Sequence, residues 1–460
     1  MGTLWVFAIM FFIIADIIAR SGFNIPLRGV PELVAYSLVG AFFLQLSHSL
    51  HVGRFARAEM FIEPMEKNHP IAAGIFNIVF NLAGIFVFAL IAYGTYFKFL
   101  EAWPDLKFGV EGDFTILVWP LRAVIFVGAV AVSFEYFIRT VNSIRQFVGV
   151  LNSRKKSTVK EPIGAVQILF LIALGLMIFA VSQSGFDKTQ IGALSLIGML
   201  LVIFTGVHIG VALMTLGFLG IVIIFGGDTR IAINTVKLAS NEFLRNYFFG
   251  VVPLFVLMGL LVNESDIGKD TFNVARWGLR RVKGGLGIAT VVANAIFAAI
   301  TGSSIASAAV FTKVAAPQMM NHGYTAKFAV GTVAGSSILG MLIPPSLLLI
   351  IYGFVAEQSV GLLFLAAVIP GIILATAMAI SILAMAHFWP SYVGKPTHDD
   401  LEDENIVSAF WKLLPILVLI FAVMGGIYGG IFTPVEAGAV GAAGALIISV
   451  IKRRLTWVKL

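Results

Sequence analysis

The chain alternates long apolar runs with short polar ones. The apolar runs last about 17 to 30 residues, the length at which an α-helix crosses a hydrocarbon core, and far exceed the alternating ten-residue segments of a membrane β-barrel. They fall near 3–19, 30–50, 69–98, 114–138, 163–182, 190–206, 209–226 and 248–264. A longer apolar region, 285–356, is interrupted by polar and proline-containing stretches, and further runs lie near 359–388, 407–427 and 433–450. The pattern predicts an all-α polytopic integral membrane protein. The first run has neither a charged leader nor a small-residue cleavage site, so it reads as a span and not as a signal peptide.

Composition narrows the class. Of 460 residues, 59% are hydrophobic and only 12% charged, about half the charge of a soluble domain. The absence of cysteine excludes a disulfide framework, thiolate metal ligands and a Cys nucleophile. In so apolar a chain the net charge of +7 points to basic loops at an anionic membrane surface and not to nucleic acid.

The basic residues also predict orientation. They cluster at Arg54, Arg57 and Lys67, at Arg139, Arg145, Arg154, Lys155, Lys156 and Lys160, at Arg276, Arg280, Arg281 and Lys283, and at Lys452, Arg453, Arg454 and Lys459. The positive-inside rule makes all four clusters cytoplasmic, with the N-terminus and the C-terminal tail on the same side. Counting crossings between the clusters closes only if 285–322 returns to its own side as a re-entrant hairpin or as a full pair of spans. Two modules are expected: a four-helix block, 1–150; a linker and connecting helix, 151–189; and a larger module, 190–460.

Two stretches carry the candidate chemistry. In Ala298–Ala309, AAITGSSIASAA, the residues Thr301, Gly302, Ser303 and Ser304 break an apolar helix. Backbone groups freed in hydrocarbon cost several kcal/mol unless protein, water or a ligand satisfies them. A hairpin ending in Gly and hydroxyl residues aims oxygens at a bound cation, and broken helices at mid-membrane are where secondary transporters hold ions. The competing reading is a small-residue packing motif between helices. In Gly331–Ser346, GTVAGSSILGMLIPPS, Pro344 and Pro345 remove two backbone donors, and Gly335, Ser336 and Ser337 add a second polar break upstream. A kinked packing helix is the competing reading. Together the two Gly-Ser-Ser breaks are expected to meet, surrounding a small cation with oxygen ligands, as suits Na⁺ and not a transition metal.

The remaining intramembrane polar residues invite structural readings. Asp16 with Arg20, and Glu135 with Arg139, are spaced as i, i+4 ion pairs near span ends. His48 and His51 are read as interfacial residues. Asn77, Asn81 and Asn294 are expected to bond between helices. The sequence contains no Gly-x4-Gly-Lys-Ser/Thr, HExxH or GxSxG motif, which disfavours an ATP-driven pump, a zinc protease and a serine hydrolase. No acid, base and nucleophile converge, so no enzyme is expected.

These stretches resemble those of a known family. AIFAAITGSSIASAAVFTKVAAPQMM, 295–320, is similar to the first re-entrant hairpin of the large membrane subunit of tripartite ATP-independent periplasmic (TRAP) transporters. AGSSILGMLIPPSLLLIIYGFVAEQSVGLLFLAAVIPG, 334–371, resembles the broken helix and span that follow. GGIFTPVEAGAVGAAGALII, 429–448, resembles a third signature of that subunit, and 23–61 is similar to the small four-helix subunit. The chain therefore resembles a fusion of small and large subunits.

The resemblance implies a four-helix module joined to an elevator-type transport module with a re-entrant hairpin, in a bacterial inner membrane. It implies import of an organic acid, such as sialic acid or a C4-dicarboxylate, delivered by a periplasmic substrate-binding protein and coupled to Na⁺. Carried over by position, the sodium ligands would be Gly302, Ser303, Ser304, Gly335, Ser336 and Pro344, with Thr301, Ser337, Pro345 and Ser346 lining the substrate cavity. The alternative is a channel-like or structural membrane scaffold without coupled transport, which has no need of paired polar interruptions. The family's large subunit carries two inverted hairpin-and-break sets, whereas this sequence shows one, so the chain is expected to be short of the family's length by roughly a quarter.

Overall fold

The computed structural model describes residues 2–53, 55, 57, 62, 65–67, 70–103, 107–110, 114–154, 172, 187–242, 247–394 and 406–453. Apart from residue 172, the apolar run 163–182 lies outside them, as do the polar linker residues 155–160, the acidic loop 399–404 and the tail beyond 453. The architecture is that of an all-α polytopic membrane protein. Eight of the described helices are long and apolar enough to cross a membrane, or nine if one bent pair is a single span. The chain divides into two compact units, Ala35–Asn246 and Thr3–Val34 with Tyr247–Leu460.

Helix α1 covers Gly2–Phe23 and α2 Val30–His51; α3 covers Pro70–Ala102 and α4 Trp119–Arg154. Between α3 and α4 lies a two-stranded antiparallel hairpin, β1 Lys107–Val110 and β2 Phe114–Leu117. This corrects the expectation of a span starting at 114. Trp119-Pro120 opens the helix instead, because proline fits the first turn, where its missing N–H is not needed.

Within the unit Ala35–Asn246, α4 packs on α3 and on α2 through small residues. A Cβ on Gly84 would lie 2.6 Å from the Tyr136 ring, and one on Gly128 2.8 Å from the Phe43 backbone. Asn81 Nδ2 donates to Ser143 Oγ at 3.2 Å, an interhelical bond as expected, while Asn77 Nδ2 reaches Glu66 Oε1 at 3.4 Å. The Glu135–Arg139 pair also forms, at 3.6 Å. His51, read as an interfacial residue, joins Glu135 at 3.1 Å, and Arg139 donates to the Leu50 carbonyl, which ends α2. Two shorter apolar helices follow, α5 Lys188–Phe204 and α6 Ile209–Ile224, then the polar α7 Thr229–Glu242.

The other unit is built around α8 Val251–Glu264 and α18 Pro434–Ile451. Gly438 faces Leu254 and Phe255, Gly441 faces Met258, and Ser449 Oγ donates to Leu261 O at 2.9 Å. The pairs advance together, so the two helices run parallel, with glycines admitting close approach. Between them in sequence lie α9 Ile267–Leu279, α10 Gly285–Thr301, α11 Ser304–Asn321, α12 Ala326–Ser337, α13 Leu339–Leu342, α14 Leu347–Val355, α15 Val360–Phe388, α16 Pro390–Val393 and α17 Ile406–Tyr428. Helix α10 is buried along nearly its whole length. Its Gly287 admits the Phe328 and Ile382 side chains.

Both ends of α18 are tied down by charge. Lys452 Nζ meets Asp270 Oδ2 at 2.5 Å, and Glu436 Oε1 accepts from Arg20 Nη2 at 2.7 Å. Arg20 thus pairs across the unit and not with Asp16, whose Oδ1 accepts from Leu27 N at 2.8 Å. The long guanidinium stem reaches a carboxylate that is more desolvated, where opposite charge is worth more.

Candidate ion site at the hairpin tip

Helix α10 stops at Gly302, which takes the left-handed conformation (φ 57°) that only glycine adopts freely, and its N–H closes onto Ala298 O at 3.0 Å. Ser303 is extended and caps α11, its Oγ accepting from Ala306 N at 3.4 Å. The local sequence Thr-Gly-Ser-Ser is thus a helix stop followed at once by a helix start, and α10 and α11 form the expected hairpin.

The second interruption falls at the Pro344-Pro345 pair the sequence indicated, and not at the Gly-Ser-Ser patch upstream of it. Gly335, Ser336 and Ser337 stay helical within α12, because their hydroxyls bond back into their own helix: Ser336 Oγ to Thr332 O at 2.7 Å and Ser337 Oγ to Ala334 O at 2.8 Å. The break falls at Ile343–Ser346, where Pro344 and Pro345 cannot donate, and the helices on either side bend by 40°. Ser346 seals it on both sides. Its hydroxyl donates to Met341 O at 2.6 Å, and its oxygen accepts from Leu349 N, 3.5 Å away, at the start of α14.

Tip and break meet backbone to backbone. Leu347 N donates to Gly302 O at 3.2 Å. A Cβ on Gly302 would lie 2.5 Å from Pro345 O, and one on Gly340 would lie 2.8 Å from Ser303 C. The structure therefore brings Gly302 and Ser303 against Gly340, Pro345 and Leu347, with Ser304 and Ser346 next to the contact in sequence. Gly335 is not part of it: a Cβ there would meet nothing within 4 Å. Ser336 faces Asn294 instead, receiving its Nδ2 at 2.6 Å. Sequence reasoning missed Gly340, whose only signal is a glycine between the polar patch and the prolines, and it read Asn294 only as an interhelical bond.

The donors left at this junction are oxygens. The N-termini of α11 and α14 and the C-terminal ends of α10 and α13 converge here. Thr301 commits its single proton to Phe297 O at 3.1 Å, and Ser346 commits its own across the break to Met341 O at 2.6 Å. Such a hydroxyl has only lone pairs left to offer. Lone pairs and carbonyls with no thiolate or imidazole among them suit a hard cation and not a soft transition metal, a class that includes Na⁺.

A helical hairpin docked on a broken helix inside a polytopic helical protein is an arrangement found in secondary transporters. Comparison with known proteins agrees. The family described as "Tripartite ATP-independent periplasmic transporter, DctM component" matches residues 196–460, and the DctQ component family matches 9–146. The chain belongs to the tripartite ATP-independent periplasmic transporter family, with small- and large-component segments in one polypeptide.

Among its relatives is the C4-dicarboxylate TRAP transporter large permease protein DctM of Rhodobacter capsulatus, 34% identical over 273 residues, covering 56% of this chain and 60% of that protein. The sialic acid TRAP transporter large permease protein SiaM of Vibrio cholerae is 33% identical over 263 residues, covering 56% and 58%. The isethionate TRAP transporter permease protein DctMQ of Oleidesulfovibrio alaskensis is 32% identical over 200 residues, covering 43% and 31%. The chain spans about 60% of the length of the first of these.

Proposed function

We propose that this chain is the membrane component of a sodium-coupled importer of a small organic anion. The observation that carries the reading is the seating of Gly302 and Ser303 on the Pro344-Pro345 break, which gathers oxygen ligands and two helix N-termini at one buried point. In this reading Na⁺ occupies that point, and the sodium ligands are drawn from Gly302, Ser303, Ser304 and Pro344, with Gly340 added. Ser336 stands behind the break, bonded to Asn294, and Gly335 is not among the ligands. Thr301, Ser337, Pro345 and Ser346 border the substrate cavity, where the positive ends of α11 and α14 favour an anion. The named relatives handle a dicarboxylate, a sugar acid and a sulfonate, which share an anionic head and little else.

The same reading includes a periplasmic substrate-binding protein as partner, an elevator displacement of the hairpin-bearing part, and residence in a bacterial inner membrane. Orientation has structural support. Arg20 lies in the last turn of α1 and Glu436 in the first turn of α18, and their pairing supports a reading with these two ends at one membrane face and Gly2 and Lys452 at the other. That agrees with cytoplasmic placement of both ends of the chain. The test is uptake of a labelled acid into proteoliposomes with the binding protein present. Uptake driven by an inward Na⁺ gradient is expected, and uptake at full rate with choline in place of sodium would reject the coupling.

A further inference from the structure

Helix α9 is too short to span. Its 13 residues make a rod of about 20 Å, against a hydrocarbon core of about 30 Å. One side is buried through Ile267, Gly268, Thr271 and Phe272, with Gly268 set against Phe297 of α10 and Val310 of α11. Its level in the molecule is fixed by Asp270, which meets Lys452 at the C-terminal end of α18, the end opposite Glu436.

Away from the buried side, Lys269, Arg276 and Arg280 recur at i, i+7 and i+11, which places them on one stripe of the helix. Arg281 and Lys283 follow directly, and Arg453 follows Lys452. From Thr271 to Ala356 the sequence holds no Asp or Glu, so the cations at the C-terminal end of α9 have no acid in their own segment. Lys269, Arg281, Lys283 and Arg453 are exposed, and their side chains make no hydrogen bond or ion pair among the described residues. The Arg280 guanidinium lies 5.9 Å from the centre of the Trp277 ring. Exposed apolar side chains are interleaved with the cations: Val282 stands between Arg281 and Lys283, and Ile451 precedes Lys452. A short amphipathic helix that alternates cations with apolar groups matches a lipid surface, where phosphates meet the charges and acyl chains meet the rest. A soluble acidic partner would use the cations alone.

We propose that α9 and the cations around it form a binding site for anionic phospholipid headgroups, at the membrane face marked by Lys452. The site stands independently of sodium coupling. It also reaches the hairpin, because Arg276 donates to Gln318 Oε1 at 2.7 Å and to His322 Nε2 at 3.2 Å, both at the end of α11. A lipid held on α9 therefore steadies the outer arm of the hairpin.

The test is thermal unfolding of the purified full chain in a nonionic detergent, titrated with phosphatidylglycerol or with phosphatidylcholine. Wild type is compared with Arg281→Gln/Lys283→Gln and with Lys313→Gln/Lys327→Gln, which removes equal charge from exposed positions on α11 and α12. Phosphatidylglycerol is expected to stabilise wild type at lower concentration than phosphatidylcholine. The first double variant should raise its half-saturating concentration about tenfold, and the second should leave it unchanged. Equal effects of the two double variants overturn the proposal. So does a wild type without preference for phosphatidylglycerol, which leaves the acidic segment 399–404 of this chain as the rival occupant. Inorganic phosphate that stabilises wild type as the lipid does, and fails to in Arg281→Gln/Lys283→Gln, assigns the site to a free anion and overturns the lipid reading. Should that variant fail to fold, screening decides on wild type alone. Choline chloride at ~0.5 M should weaken the phosphatidylglycerol effect, and an undiminished effect overturns the proposal equally.

Discussion

Arg20 Nη2 lies 2.7 Å from Glu436 Oε1, joining two helix ends 416 residues apart in sequence. Glu436 is nearly buried, and its other oxygen accepts from Thr433 N at 2.8 Å while Thr433 Oγ1 accepts from Glu436 N at 3.3 Å. One carboxylate therefore serves both an ion pair and a capping box. Glu436→Gln should remove the charge and keep the capping box, and Glu436→Ala should lose the charge and the bond from Thr433 N, costing a further ~1 kcal/mol of stability. A double-mutant cycle with Arg20→Ala should give a coupling of about 1 kcal/mol, Arg20 being partly solvated. Reversing the pair should not restore stability, since an arginine at 436 cannot accept from Thr433 N. Thermal melts of these single and double variants check the ordering.

The glycines at the junction are not equivalent. Gly302→Ala combines a left-handed φ with a Cβ 2.5 Å from Pro345 O, and Gly340→Ala presses on the Ser303 backbone. Both should abolish uptake and lower stability by about 1–3 kcal/mol. Gly335→Ala, in open helical surroundings, should be tolerated and even stabilise by ~0.5–1 kcal/mol. Uptake and melting measured together separate the two outcomes.

Ser303 and Ser304 bring hydroxyls to the tip of the hairpin. Replacing both with leucine should eliminate the Na⁺ dependence of transport while the hairpin still forms, because Gly302 still ends α10. Retention of the wild-type Na⁺ dependence would contradict their role.

His208, in the turn between α5 and α6, sits 3.1 Å from Tyr136 Oη. Burial above all, then the Arg139 and Arg57 charges, pushes its pKa down to about 4 from 6.5. The folded state thus disfavours the imidazolium that the unfolded chain forms readily. Stability from this residue is complete above pH 6.5 and declines as pH falls toward 4, by up to ~3 kcal/mol. His208→Gln should flatten that part of the pH profile. Equal slopes for wild type and variant between pH 6.5 and 4.5 would refute the assignment.

Much of this was legible locally, and the remainder depends on partners distant in the chain. Run length announced the spans, and Thr301-Gly302-Ser303 announced the hairpin tip, because a left-handed glycine followed by a serine cap is a rule about neighbours. The same local logic also announced the break at Pro344-Pro345, but it added an interruption upstream that does not form. Gly-Ser-Ser at 335–337 has the composition of an interruption, yet serine can bond back to its own helix, and Ser336 and Ser337 do so. Proline cannot, which is why the break falls at Pro344. The partners of Arg20, Asn294 and Gly340 were not readable. Each is chosen by which helices pack together, and a spacing of i, i+4 suggested Asp16 for Arg20 when a more buried carboxylate was within reach.

The central claim is that the hairpin tip and the broken helix together hold sodium. Equilibrium binding of radiolabelled Na⁺ to the purified chain tests it most directly, with Gly302→Ala as comparison. Saturable binding in wild type that is lost in Gly302→Ala is the predicted result. Equal binding in the two proteins, or no saturable binding in wild type, would contradict it.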